Sequence, residues 1–322
     1  MSEQRARKGL FTVAVIGQGK EHKLQGISGL ERVIESIDGK SGSTQLSKFD
    51  LPAQLNTSNV TFTEAPFAGC GDMPTGNFYF EVELDGEVIA HVRSVSGLGV
   101  NWEVMESRES TSLNVQKLWD KYSVPEITIQ QVIELSEGNP LYTAIQKLGK
   151  VQGPGNGFSV VGGAVCAYRG NWVIRLKKRD DSIVAQWKLY SAWPSRYVPM
   201  NDWAAEGGDV GLRSLTLKMA PAAGQPAIEE TVSSWSTAAG GGLVSSDWLS
   251  WCSSILSQAP TRKNLSINHY HPDAMPGQDQ PLKVYKLFNC WPSSLTYSDF
   301  DAGSPDLATR EVVMACDGFI ED

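Results

Sequence analysis

Alternation of apolar and polar residues is the dominant pattern along the chain, and it predicts strands. Residues 59–63 (NVTFT) alternate strictly, while 78–84 (FYFEVEL) and 87–95 (EVIAHVRSV) flank Asp85-Gly86, an arrangement typical of a β-hairpin. Similar or β-branched segments predict further strands at 11–16, 32–37, 101–105, 126–133, 172–177, 183–190, 213–219, 264–270, 282–288 and 309–314. The pattern therefore predicts a mainly β protein, built as a β-sandwich or barrel.

Two short helices are predicted among these strands. Residues 139–148 (NPLYTAIQKL) begin with Asn139 before Pro140, residue types preferred at a helix N-cap and first turn. In residues 246–256 (SDWLSWCSSIL), apolar residues recur at helical spacing after Ser246, a suitable N-cap. One short helix therefore flanks each of two sets of strands.

Two segments that each contain Trp-Pro form an internal repeat. The 34 residues from Trp187 (WKLYSAWPSRYVPMNDWAAEGGDVGLRSLTLKMA) align, with one single-residue gap, with those from Tyr285 (YKLFNCWPSSLTYSDFDAGSPDLATREVVMACDG). Lys188, Leu189, Trp193, Pro194, Ser195, Asp202, Ala205, Asp209 and Arg213 meet the identical residues Lys286, Leu287, Trp291, Pro292, Ser293, Asp299, Ala302, Asp306 and Arg310. Upstream, Ser-Gly-Leu at Gly29, followed by Glu35, mirrors Ser-Gly-Leu at Gly97, followed by Glu103.

The order of these matches predicts that one copy is inserted in the other. Both N-terminal halves come first and both C-terminal halves follow, whereas tandem copies would alternate. We therefore expect an outer domain at 10–66 plus 230–322, an inserted domain at 77–222, and Gly/Pro-rich linkers at 67–76 and 220–242. The alternative is one large irregular β domain with coincidental Trp-Pro motifs.

Composition narrows the function classes. A net charge of −8 disfavours tight nucleic-acid binding, which needs a basic face. The N-terminal residues 1–8 precede no apolar run of signal-peptide length, and no window is long and apolar enough for a membrane span. Five widely spaced cysteines without C-x-x-C favour buried free thiols over a disulfide framework or zinc site.

The repeated motifs resemble those of the tail-tube proteins of contractile phages and related injection systems. The residues that carry the resemblance are W-x-L-x-x-A-W-P from Trp187 with Asp202 to Ala205, the corresponding Tyr285 to Pro292 with Asp299 to Ala302, and the closing Asp317-Gly318. Members usually have one such domain, and the inserted copy lacks the acidic-Gly finish. These two departures place ordinary ring geometry in question.

The resemblance implies a structural subunit of a virion tail, assembled in the host cytoplasm and without enzymatic activity. Subunits would join strands into a ring around a lumen, and rings would stack into a tube passed by DNA or effector without tight binding. Sheath, baseplate and tail-terminator proteins would be its partners. Six chains per ring are favoured by the long 220–242 linker, while three chains with two folds each would give a pseudo-hexameric ring, as in tail hub proteins.

Residues with binding chemistry are sparse. Trp193 and Trp291 are interpreted as packing residues. Pro194 and Pro292, which follow them, are interpreted as the ends of their strands. His269, His271 and Asp273 form H-x-H-x-D, a weak metal-ligand pattern, and no cofactor is predicted. Ten tryptophans leave a carbohydrate- or receptor-binding β module as the alternative, followed by an enzyme with an unrecognised site.

Overall fold

A computed structural model describes most of the chain. The residues that it describes are 10–18, 20–39, 49–64, 78–107, 115–133, 138–149, 169–178, 180–200, 211–220, 226–232, 246–257, 260–271, 273–276, 278–301 and 309–322. The first predicted linker, 67–76, lies outside these residues, as do Asp202, Ala205, Asp209, Ala302 and Asp306 of the repeat.

Strands dominate the described residues, which confirms the predicted mainly β class. In chain order they are β1 (Leu10–Val15), β2 (Glu21–Leu24), β3 (Gly26–Ser28), β4 (Arg32–Gly39), β5 (Phe49–Thr57), β6 (Val60–Glu64), β7 (Phe78–Leu84), β8 (Glu87–Val92), β9 (Ser94–Ser96), β10 (Gly99–Ser107), β11 (Gln116–Ser123), β12 (Ile127–Val132), β13 (Gly170–Lys178), β14 (Ile183–Val198), β15 (Leu212–Met219), β16 (Ile228–Val232), β17 (Lys263–Tyr270), β18 (Lys283–Tyr297), β19 (Phe300–Asp301), β20 (Arg310–Ala315) and β21 (Gly318–Glu321).

Both predicted helices are present. Helix α1 spans Pro140–Gly149, and the Asn139 side chain accepts a hydrogen bond from the Tyr142 amide at 3.0 Å, the expected N-cap contact. Helix α2 spans Ser246–Ser253 and continues as a 3₁₀ turn at Ser254–Ser257. Trp248, Trp251 and Cys252 are buried, so the helical spacing seen in the sequence corresponds to the face that packs on the core.

Two antiparallel sheets share one strand order. Sheet 1 runs β2-β1-β17-β18-β20-β6-β3, and sheet 2 runs β8-β7-β13-β14-β15-β12-β9. Each order begins with a hairpin, places the long Trp-Pro strand fourth and ends at the short strand whose last residue is the Ser of Ser-Gly-Leu. Residues that occupy the same place in the two orders are called equivalent below. Strand β21 pairs with β18 in sheet 1, and β16 is its equivalent on β14 in sheet 2.

Three sequence expectations need correction. The Trp-Pro strands do not end at their prolines, because β14 and β18 continue to Val198 and Tyr297. Residues 220–242 are not linker throughout, since 228–232 form β16. Cys290 and Cys316 form a disulfide instead of remaining free thiols. Each correction involves pairing between distant segments, which local composition does not encode.

The core is rich in tryptophan. Trp172, Trp187, Trp248 and Trp291 are all fully buried, and Cys252 is a buried free thiol as expected. Aromatic side chains of this size each remove a large apolar area from water, so they dominate the packing energy of both sheets.

Candidate assembly interface

The two Trp-Pro strands have the same local geometry. In β14 the register with β15 shifts between Pro194 and Arg196, and in β18 the register with β20 shifts between Pro292 and Ser294. Each shift is a bulge directly after the proline. Proline has no N–H to donate to the neighbouring strand, and a bulge is a place where a strand tolerates this. The serine in each bulge donates its hydroxyl to the neighbouring strand, Ser195 to the Thr216 carbonyl at 3.2 Å and Ser293 to the Val313 carbonyl at 3.1 Å.

Gly29 and Gly97 also occupy equivalent positions. Both adopt φ of +79°, and a Cβ at either would overlap a backbone carbonyl oxygen, that of Asn59 or of Glu126. A left-handed conformation combined with so close an approach admits only glycine at low cost. The Ser-Gly-Leu motif therefore marks the same tight crossing in each sheet.

The two equivalent arginines have different partners. Arg310 is fully buried, and its Nε and Nη2 donate to Glu64 Oε2 at 2.8 and 2.6 Å. Burial alone would raise the pKa of Glu64, but Arg310, with hydrogen bonds from His22 and Trp248, lowers it to about 2. Arg213 instead faces Gln131 across β15 and β12, and its Nε and Nη1 have no hydrogen-bond partner among the described residues.

Each sheet takes in a strand from the other part of the chain, β10 in sheet 1 and β19 in sheet 2, and this region is called the junction below. Residues 99–101 at the start of β10 pair antiparallel with 294–296 of β18, and β19 pairs with β9. Side chains reinforce the first pairing, since Ser294 Oγ lies 2.5 Å from Asn101 Oδ1. Arg93 reaches Asp301 at 3.2 Å beside the second pairing. Segments from the two copies of the repeat are thus directly hydrogen-bonded to each other.

Aromatic packing and charge extend this junction. Phe300 and Tyr297 contact Trp187 of β14 with ring centroids 5.4 Å apart in both cases. Glu230 of β16 accepts a hydrogen bond from the Tyr297 hydroxyl and lies 3.8 Å from Arg310. Burial raises the pKa of Glu230, with Glu64 adding to the effect and Arg310 opposing it.

Strand β11 of the β10–β11 hairpin packs against β18 at Trp291. Lys117 is buried, its amide donates to Asp317 at 2.9 Å, and its carbonyl accepts from the Trp291 indole at 3.1 Å. Its ammonium donates to Asn59 Oδ1 at 2.7 Å, and burial lowers its pKa. Trp119 packs edge-on against Trp291 at 5.7 Å. No sequence motif indicates Lys117. Glu230 lies in the expected 220–242 linker, where a solvated carboxylate is expected, and this expectation is wrong because its side chain is 4% exposed.

The weak metal pattern is spread over a strand end. His269 stacks on Phe11 at 4.6 Å, while His271 lies 3.5 Å from the exposed Asp273. The described part of the chain contains no group of three or more His, Cys, Asp or Glu side chains arranged to hold a metal ion. Neither described helix is long and apolar enough to span a membrane.

Comparison with known proteins gives a family match. Residues 76–221 and 237–320 match the family described as T4-like virus tail tube protein gp19, and together they cover more than half of the chain. No curated protein matches the chain.

Several solved structures are similar to the chain at low identity. The cap that terminates the tube of the anti-feeding prophage is 20% identical, with a TM-score of 0.37, and the match covers 50% of this chain and 92% of that one. A chain of the PVC sheath-tube complex in the extended state is 17% identical, with a TM-score of 0.37 and coverage of 52% and 95%. Hcp1 from Flavobacterium johnsoniae is 12% identical, with a TM-score of 0.24 and coverage of 43% and 88%.

Proposed function

Since the chain belongs to the T4-like virus tail tube protein gp19 family, we propose that it is a structural subunit of a phage tail tube or of the inner tube of an injection system. In this proposal the subunits form rings that stack around a lumen through which DNA or an effector passes. The observation that carries the proposal is the direct pairing of residues 99–101, which follow β9 of sheet 2 in the chain, with residues 294–296 of sheet 1, because it hydrogen-bonds the two parts of the repeat to each other.

The proposed subunit contains two tube-type domains, one inserted in the other. The shared strand order supports this division, since β1–β3, β6, β17, β18 and β20 come from the outer segments and their equivalents from 77–222. The paired bulges and the two glycines at φ +79° support it as well. Strand β16, within the second expected linker, then belongs to the inserted domain as the equivalent of β21.

Three chains per ring are the arrangement that we propose, in place of the six favoured by the sequence. The six-chain arrangement was based on a long flexible linker that would set one domain apart from the ring. Because β16 pairs with β14 and β10, from the 77–222 segment, pairs with β18 of the outer segment, the domains are better suited as neighbours in one ring. Three chains with two domains each supply six ring positions.

The remaining roles follow from a tube. Sheath, baseplate and tail-terminator proteins would bind the outer surface and ends, and the subunit would reside in the virion tail after assembly in the host cytoplasm. A net charge of −8 suits a conduit that does not retain phosphates. We assign the chain no catalytic activity and no cofactor.

Negative-stain electron microscopy of the purified full chain tests this function. We expect rings or short tubes with a central hole at high protein concentration. Dispersed monomers under the same conditions, together with binding to a glycan array, would instead support the carbohydrate-binding module.

A further inference from the structure

We propose that the junction between sheets 1 and 2 is repeated between chains, with a second copy of this chain as the partner. Residues 31–33, β3 and Glu321 of one chain would contact residues 196–198 and Arg213 of the next. This inference rests on the proposed ring function, and it adds the surfaces, the strand register and one ion pair.

The first supporting observation is unequal burial on one side of the junction. In sheet 2, five apolar side chains next to the junction are at most 2% exposed: Phe80, Val95, Leu98, Trp187 and Ile228. Their equivalents in sheet 1 are only partly buried: Phe11, Ile27, Leu30, Tyr285 and Phe319. In the sheet 2 set, Phe80 and Trp187 pack against Phe300, a residue of the outer segment. Among the described residues the sheet 1 set has no equivalent strand against it, and the Arg32 guanidinium, 5.0 Å from the Phe319 ring centroid, gives it partial cover.

The other side of the junction shows the opposite inequality. In β18, Pro292, Ser293, Leu295 and Tyr297 are buried, with Leu295 only 1% exposed. The equivalent residues in sheet 2 are partly or fully exposed: Pro194, Ser195, Tyr197 and Pro199. Strand β10 pairs beside the first set, whereas no described strand pairs at the same place beside the second. In the second set, Tyr197 contacts Asn139 and Tyr142 of the α1 segment. Each chain therefore presents one incompletely covered surface of each kind, and the two occupy complementary places in the shared strand order.

The internal pairing fixes the register between chains. Gly99, Val100 and Asn101 pair with Thr296, Leu295 and Ser294. Equivalent residues are Glu31, Arg32 and Val33 on one side and Val198, Tyr197 and Arg196 on the other. Among the described residues, β4 pairs only with β5, and the end of β14 pairs only with β15. Both backbone edges are thus available for an added strand.

Charge points to the same partner. Glu230 contacts Arg310 across the internal junction, at 3.8 Å. Glu230 lies opposite Trp187 on β14, and Glu321 lies opposite the equivalent Tyr285 on β18. The equivalent contact between chains joins Glu321 to Arg213, which is 5% exposed and whose Nε has no hydrogen-bond partner among the described residues, whereas the Nε of Arg310 donates to Glu64. Glu321 is half exposed here and pairs with Lys283.

Such an interface is heterologous, because different surfaces of each chain meet. Head-to-tail contacts of this kind close into rings when the rotation between neighbours permits. In this proposal the junction relates the two domains within one chain, and the same geometry relates the facing domains of neighbouring chains.

Cysteine cross-linking tests the register. Full-length Val33→Cys and Arg196→Cys chains, each carrying one of the two changes, are purified, mixed and oxidised. We expect a covalent dimer on a non-reducing gel that disappears with reductant, since side chains of the equivalent pair Asn101 and Ser294 touch. Val33→Cys mixed with Tyr197→Cys is the matched control, because adjacent strand residues point to opposite faces. Equal cross-linking in both mixtures would overturn the proposed register.

Charge reversal tests the ion pair without altering the core. We expect Glu321→Arg to raise the concentration needed for ring formation by about tenfold or more, while Asp322→Arg leaves it unchanged. If wild-type rings form, the cysteine pair fails to cross-link and Glu321→Arg assembles normally, this interface is wrong and the proposed function stands. If wild-type chains form no rings and no cross-link appears, both are wrong.

Discussion

The two Trp-Pro strands share a sequence, a bulge and a serine hydrogen bond, yet their surroundings differ. Trp291 is fully buried, with the β10–β11 hairpin against it and Trp119 packed on its ring. Trp193 is half-buried, and the Arg169 guanidinium lies 5.0 Å from its ring centroid. The repeated sequence therefore determines the strand and its bulge, whereas the burial of the tryptophan depends on whether another segment, such as the β10–β11 hairpin, packs against that strand.

The buried charges differ in the same way. Sheet 1 holds an ionised Glu64–Arg310 pair, and sheet 2 holds Gln131 and Arg213 at the equivalent positions. A carboxylate in the core requires its arginine, whereas an amide does not. The two halves of the repeat thus have one backbone plan and different electrostatic requirements.

The largest expected difference in stability loss between the two sheets is between replacement of Arg310 and replacement of Arg213. Arg310→Met leaves the buried Glu64 carboxylate without its main partner, so we expect the free energy of unfolding to fall by about 3–5 kcal/mol. Arg213 forms no ion pair with a described residue, so Arg213→Met should cost about 1 kcal/mol or less in the isolated chain. Urea denaturation followed by tryptophan fluorescence measures both. Equal losses would contradict the difference between the two sites.

Truncation of the two tryptophans sharpens the comparison of burial. Trp291→Ala removes a fully buried ring and should cost about 3–5 kcal/mol. Trp193→Ala removes a half-buried ring and a cation–π contact, for which we expect about 1 kcal/mol. Thermal unfolding of the isolated chain compares the two variants. A larger loss for Trp193→Ala would mean that β14 is covered in the isolated chain.

Acid should act on sheet 1 through Glu64. Because its folded pKa is depressed to about 2, its stabilising contribution is present above the unfolded pKa of about 4.3 and is lost as pH falls towards 2. We expect a decrease of up to about 3 kcal/mol in the free energy of unfolding between pH 5 and pH 2. The groups that face Glu64 are His22, Arg310, Glu230 and the Cys252 thiol.

The control for this prediction is Glu64→Gln. That variant should be less stable than the wild type at pH 5 and should lose less stability on acidification, as measured by urea midpoints at each pH. An acid decline as steep as that of the wild type would assign the effect to other carboxylates.

The smallest difference in stability loss between the two sheets is expected for their equivalent glycines, Gly29 and Gly97. Gly29→Ala and Gly97→Ala should each cost more than about 1–2 kcal/mol, because the left-handed φ is strained for alanine and the new methyl group overlaps a carbonyl oxygen. Gly86→Ala, with φ +91° and open space around it, is the control for the backbone term alone. If Gly29 and Gly97 variants differed widely in melting temperature, the two crossings would not be equivalent.

Much of the fold was predictable because it depends on local patterns. The alternating segments, the Asn139 cap and the Asp85-Gly86 hairpin all form as predicted. The short strands β16 and β21 were not predicted as strands, since they pair with β14 and β18, which lie well before them in the chain. Strands β5 and β11 were also missed, although each pairs with the strand just before it, because their sequences do not alternate regularly. The continuation of β14 and β18 past proline required knowledge of the bulge.

The candidate interface was only partly predictable. Trp193, Trp291 and the two arginines stand out because the repeat aligns them. Lys117 is buried where the β10–β11 hairpin packs on β18, and the Glu230 side chain is buried at the junction, and no periodicity in either segment indicates these contacts. The Cys290–Cys316 disulfide depends on β18 and β20 lying side by side, with Trp291 opposite Ala315.

The most direct test of the central claim is native mass spectrometry of the assembled ring. The account predicts a closed species of three chains, in which each chain fills two neighbouring ring positions. A closed ring of six chains would contradict the placement of both domains in one ring, and a chain that remained monomeric at every concentration would contradict assembly altogether.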